Sequence, residues 1–159
     1  MIIGRVESIH ITEAAAQPMV PLAEVRAIEQ VGLEGDRYAQ GKGTYSLQPG
    51  AWSQITLIEA ESVEALAREM GLELPPGEIR RNIVTRGVAL NHYVDREIRV
   101  GEARLRGVWL CEPCDHLARL THKYALYGLL HRGGLRAEVY QGGIIRVGDP
   151  IVIEESRLY

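Results

Sequence analysis

The strongest constraint on this chain is its run of short alternating apolar segments, each closed by glycine or proline within a few residues. Ile3, Val6, Ile9 and Ile11 lie among polar residues at the start, and Ile55–Ile58 carries a second strand signal. Extended chain points successive side chains to opposite faces, so each segment has a face to bury and must find a partner strand. Ile98-Arg99-Val100-Gly101-Glu102 recurs in kind as Ile145-Arg146-Val147-Gly148-Asp149, which reads as one hairpin unit used twice. A further strand is expected through Leu22, Val25 and Ile28. Pro18 and Pro21 before it cannot donate ladder hydrogen bonds and mark a turn or edge.

Helical spacing is clear only over Ala60–Met70, where Val63, Leu66, Ala67 and Met70 share a face. Glu59 and Glu61 suit its positive end, and Gly71 stands where a left-handed cap belongs. Leu117–Leu130 has mixed periodicity, with Leu117, Leu120, Tyr124 and Tyr127 able to share a face. The regular strand–helix alternation of a doubly wound sheet is missing. The expected fold is therefore mixed and mainly β: a closed or partly closed β-barrel decorated with a few short helices, as one domain over residues 1–159.

A chain of 159 residues buries roughly 68–70% of its unfolded surface, so it needs neither disulfide nor metal to hold a core. Phe is absent, so that core must rest on Ile, Val, Leu and Ala. A net charge of −3 lacks the basic footprint of a nucleic-acid binder or a polybasic membrane patch. The first residues do not read as a signal peptide, and no apolar run approaches ~18 residues. Two cysteines in a single Cys111-Glu112-Pro113-Cys114 motif are not a secreted disulfide framework. A cytoplasmic protein without nucleic-acid or membrane partners is expected.

Candidate chemistry gathers in three places. The glycine-rich stretch Gly32–Gly50 reads as a long shaped loop, of a kind that is often functional, and it carries Asp36 and Arg37. Asp36 could orient an arginine or bind a ligand amine, and the glycines let backbone approach a ligand. Pro75-Pro76-Gly77 precedes Arg80, Arg81 and Asn82. A helical turn opening there, with arginine forks beside it, would suit a phosphate. Cys114 is a candidate nucleophile or soft metal ligand, provided that its pKa is lowered and it is accessible. Arg80, Arg81, Arg132 and Arg136 could supply the positive potential, and His116 could modulate a thiolate. The alternatives are a dithiol redox pair, which wants a βαβ setting, and a zinc site from Cys111, Cys114, His116 and His122, whose spacing is not standard.

The motifs also fall in a telling order. Gly32-Leu33-Glu34-Gly35-Asp36-Arg37-Tyr38 is followed by Ser53–Ile58, Arg80-Arg81-Asn82-Ile83-Val84 and Val100-Gly101. Cys111-Glu112-Pro113-Cys114, Gly133–Val139 and Gly148-Asp149 complete the series. From about Arg5 to Ile153 this series resembles the MOSC family, named for the C-terminal domain of molybdenum cofactor sulfurases. The resemblance implies a β-barrel that binds a molybdopterin-type molybdenum cofactor, with Cys114 ligating molybdenum or carrying a transferable sulfur. For such a cofactor, Asp36, Arg37, Arg80, Arg81, Asn82, Arg132 and Arg136 are the binding candidates, and Arg81 and Asn82 match the family's Arg-Asn pair. Some members reduce N-hydroxylated compounds with electrons from partner proteins, so an electron-donor or sulfur-donor protein is an expected partner. Pyridoxal phosphate enters only as a family-level association. A non-catalytic carrier of cofactor or sulfur is the competing expectation. Tyr38 stands where relatives often carry His.

Overall fold

The computed structural model describes residues 1–47 and 50–153. Its main body is a closed seven-stranded barrel. The strands are β1 (Ile2–Ile11), β5 (Ile55–Glu59), β6 (Ile83–Arg86), β7 (Glu97–Val100), β8 (Ala103–Leu110), β9 (Leu135–Gln141) and β11 (Pro150–Val152). Their spatial order is β1-β6-β5-β9-β8-β7-β11, and pairing of β11 with β1, Gly4 opposite Ile151, closes the ring. Val6, Ile9, Ile55, Leu57, Ile83, Ile98, Leu105, Leu135, Val139 and Ile151 fill the interior, all aliphatic as the lack of Phe requires.

Every neighbouring pair in the barrel is antiparallel except β5–β6, where Leu57 lies opposite Ile83. A parallel pair needs a crossover, and α1 (Ala60–Met70) supplies it. With the barrel on one face and helices on the other, β5 is buried along almost its whole length, which explains why its sequence is a continuous apolar run. Outside the barrel, Ile58 and Val84 pack with Leu66 of α1 and with Leu117, Ala125 and Leu129 from α2 (Asp115–Leu120) and α3 (Lys123–Gly128). Gly71 takes φ +65 and its N–H bonds to the Ala67 carbonyl, the left-handed cap that the sequence predicts.

Three expectations change. The strand expected through Leu22, Val25 and Ile28 splits at Ala23. β2 (Val20–Leu22) lies along β1 with Pro21 opposite His10, while β3 (Glu24–Ile28) joins a small sheet with β4 (Gly32–Leu33) and β10 (Gly143–Arg146). Of the two expected hairpins only β7–β8 forms. The turn at Gly148 instead carries the chain between sheets, and it is tied to β1 by Gly148 N–H to Val6 O and Val6 N–H to Asp149 O. The Leu117–Leu130 helix breaks at Thr121–His122, which resets its phase. Leu117, Ala125 and Leu129 are buried, and Leu120, Tyr124 and Tyr127 face outward. Within the predicted Gly32–Gly50 loop, Gln48 and Pro49 lie outside the described residues, and no described helix is long and apolar enough to cross a membrane.

Gly134 lies hard against the backbone of β5. Its φ is +112, and a Cβ there would stand 2.0 Å from the Leu57 carbonyl oxygen. Gly134→Ala is expected to cost about 2–4 kcal/mol in a urea unfolding series, combining a forbidden conformation with a backbone clash. A loss below about 1 kcal/mol would contradict this packing.

Candidate functional site

One pocket gathers side chains from five separate segments: Arg37, Tyr38, Thr44 and Tyr45 of the glycine-rich loop, Thr56 of β5, Arg80 and Arg81, Cys114 and His116, and Arg136 of β9. Cys114 is the residue just before α2. It has extended backbone (φ −137°, ψ 169°), its thiol is half-buried, and Pro113 stiffens the approach. Its Sγ lies 3.7 Å from the Tyr45 hydroxyl. Burial pushes the thiol pKa up. The Leu117 N–H, the Tyr45 hydroxyl, the His116 N–H and the charge of Arg81 together outweigh it, so the pKa falls below the ordinary thiol value. The two N–H groups act at short range without completing a regular capping hydrogen bond. Tyr45 moves the opposite way: burial and the neighbouring sulfur both raise its pKa, so it stays a neutral donor.

Arg81 is buried, and its guanidinium is spent on backbone. Nε donates to Gly133 O at 2.9 Å, Nη2 to Cys111 O at 3.2 Å and Nη1 to Ile79 O at 3.5 Å. Its charge reaches Cys114 while its hydrogen bonds hold the Cys111–Cys114 turn in place. Asn82 is wholly buried and joins three segments. Its Oδ1 accepts from Thr56 N–H (3.1 Å) and Oγ1–H (3.2 Å), and its Nδ2 donates to His10 O at 3.1 Å. These bonds make it framework beneath the pocket. Both residues follow a short helical turn over Pro76–Ile79 that ends at Arg80, φ +62°, so the cluster closes a helical turn where the sequence suggested that it opens one.

Asp36 is fully buried behind the pocket. It accepts from Thr12 N–H at 3.2 Å and pairs with Arg37 Nη1 at 3.2 Å, which turns Arg37 toward the site, its guanidinium 4.7 Å from the Tyr38 ring centroid. Arg80 donates to Gln17 O at 2.8 Å. Arg136 packs over Trp52 (5.3 Å) and Tyr45 (5.6 Å) and makes no ion pair among the described residues. Arg132 is elsewhere: it donates to Gly128 O and pairs with Glu69 on the outer helices. His116 sits beside Thr44 at 3.3 Å, and burial, then the charges of Arg80, Arg119 and Arg37, lower its pKa and keep it neutral. His122 is turned away to accept the Tyr124 N–H and cap α3, and among the described residues no three His, Cys, Asp or Glu side chains gather as a metal-binding group.

The arrangement is an anion-attracting pocket with a soft, ionisable sulfur at its wall. Sequence reasoning missed Tyr45, Thr56 and the stacked pair Trp52–Trp109 (5.8 Å between rings). The one signal pointing to Tyr45 was its place in an unusually long glycine-rich loop.

The MOSC domain family model matches residues 44–152. Among solved structures, YuaD from Bacillus subtilis aligns with a TM-score of 0.77 at 16% identity over 93% of each chain. YiiM from Geobacillus stearothermophilus aligns at 0.71 with 18% identity, over 98% of this chain and 77% of that one. YiiM from Escherichia coli gives 0.66 with 19% identity, over 94% and 70%. No curated protein sequence matches the chain.

The pH dependence of alkylation tests the electrostatics directly. Cys114 is expected to react with iodoacetamide with a midpoint below that of an ordinary thiol, because the thiolate is the reacting form. Tyr45→Phe, which removes a donor to that thiolate, should move the midpoint upward. A downward shift or none would contradict the role given to the hydroxyl.

Proposed function

The chain belongs to the MOSC family, and from that footing we propose that its pocket binds a molybdopterin-type molybdenum cofactor with Cys114 as the protein's sulfur ligand. The observation that carries this reading is the pairing of a lowered-pKa thiol with Arg80, Arg81 and Arg136, which pair with no carboxylate among the described residues. Thiolate is a soft ligand suited to molybdenum. Guanidinium forks suit a phosphate, so the donor set fits both ends of such a cofactor. Arg136 and Arg80 are the groups to hold the anionic end, and Arg37, aimed by Asp36, adds a third charge.

Bound there, the cofactor would supply two-electron chemistry at molybdenum, suited to reducing N-hydroxylated compounds with electrons from a partner protein. The chain's own residues do the rest. Tyr45 donates to the Cys114 sulfur and favours its ionised form; Arg81 fixes the turn that presents it; neutral His116 and the Thr44 hydroxyl offer a proton-relaying pair at the rim. The same thiolate could carry a transferable sulfur as a persulfide, and the two chemistries separate on whether metal or a cyanide-releasable sulfur accompanies Cys114.

Molybdenum per chain, after expression in a cofactor-proficient bacterium, checks the proposal. Wild type should hold the metal, Cys114→Ser should lose most of it, and Arg136→Gln should hold it more weakly. Equal metal in wild type and Cys114→Ser would overturn the ligand assignment. A folded wild type that carries sulfur and no metal would overturn the reductase reading in favour of sulfur transfer.

A further inference from the structure

A second cleft adjoins the Cys114 pocket, and Arg80 borders both. Four of the chain's seven prolines, Pro18, Pro21, Pro75 and Pro76, form its walls. Proline rings give a stiff apolar surface without N–H donors, so the cleft is shaped in advance and offers its polar contacts only where other residues supply them. Those residues are His10, Glu78 and Arg80, of which His10 and Arg80 can donate to an anion.

His10 is 5% exposed, and its Nε2 lies 2.9 Å from Ser8 Oγ. Its Nδ1 has no hydrogen-bond partner among the described residues. Leaving a buried ring nitrogen unpaired costs about 1–3 kcal/mol, so the site is built to have that nitrogen paired by something else. Burial lowers the His10 pKa, so the ring is neutral and its need is for a hydrogen bond rather than a counter-charge. Gly77 borders the cleft beside it. A Cβ at Gly77 would stand 3.2 Å from Nδ1, so a side chain there would crowd that nitrogen from the cleft side. Arg80 holds a left-handed backbone, donates to Gln17 O, and pairs with no carboxylate among the described residues. Glu78, also on the cleft, disfavours a ligand with more than one negative charge.

We propose that this cleft is a subsite for a small monoanionic acid with an apolar body. Its carboxylate meets Arg80, its body lies on the prolines, and His10 Nδ1 completes one hydrogen bond. Shared use of Arg80 places the occupant beside the Cys114 pocket, so the subsite holds a second reactant or effector there. The inference does not depend on molybdenum, and it goes beyond the reading of Cys114.

The test uses the full chain carrying Cys114→Ser, so that it does not rest on thiol chemistry. Benzoate is titrated while the His10 ring nitrogens are followed by long-range nitrogen–proton correlation. A saturable shift of Nδ1 is expected. Arg80→Gln and Gly77→Ala should each weaken binding by roughly 10-fold or more, with melting temperatures near that of the parent. Gly77 lies outside the left-handed region, so its alanine variant removes room without backbone strain. Benzyl alcohol, with the same ring and no charge, should bind about 10-fold more weakly, and phenyl phosphate should bind no better than benzoate. No saturable shift with benzoate, or affinity unchanged in both variants, would overturn the proposal.

Discussion

The site depends on the buried guanidinium of Arg81. A charge removed from water must be compensated, and here three backbone carbonyls do so in place of a carboxylate. Hydrogen bonds to a charged donor contribute about 1.5–3 kcal/mol each. The three acceptors come from the Pro76–Ile79 turn, the end of β8 and the segment leading into β9, so one side chain ties together the walls of the pocket. Because no carboxylate among the described residues pairs with Arg81, its field remains available to the neighbouring sulfur.

That field adds to the hydrogen bonds, the Leu117 N–H first among them, that let Cys114 be both partly buried and readily ionised. Burial alone would suppress the thiolate. Around Cys114 the loss of water is offset by N–H groups at the start of α2, the Tyr45 hydroxyl and Arg81. Asn82 holds β1, β5 and the entry to β6 in register beneath these groups, so the barrel and the pocket share one polar framework.

Much of this was legible in the sequence, for physical reasons that differ by element. α1 was legible to the residue because its apolar spacing and Gly71 cap are local. The barrel class followed from many short alternating segments, and Cys114, Arg37, Arg80, Arg81 and Arg136 do meet in one pocket. Partner choice was not legible. Gly101 and Gly148 sit in near-identical stretches of sequence, yet only the first makes a hairpin, because the strands that β10 and β11 pair with lie far away in the chain. Tyr45 and Cys114 are 69 positions apart, and no local pattern announces their contact. Charge composition showed that arginines were present but not where they point: Arg132 turns to Glu69, while Asn82, a ligand candidate in sequence, is committed to the framework.

The central claim is that Arg81 holds the turn presenting Cys114 to the donors that favour its thiolate and adds its charge to theirs, and ultraviolet thiolate absorbance followed against pH in Arg81→Gln tests it most directly. The account predicts that Cys114 ionises at clearly higher pH in the variant than in the parent, together with a loss of about 3–5 kcal/mol in stability from the broken carbonyl contacts. A folded Arg81→Gln protein whose Cys114 ionises at the same pH as wild type would contradict it.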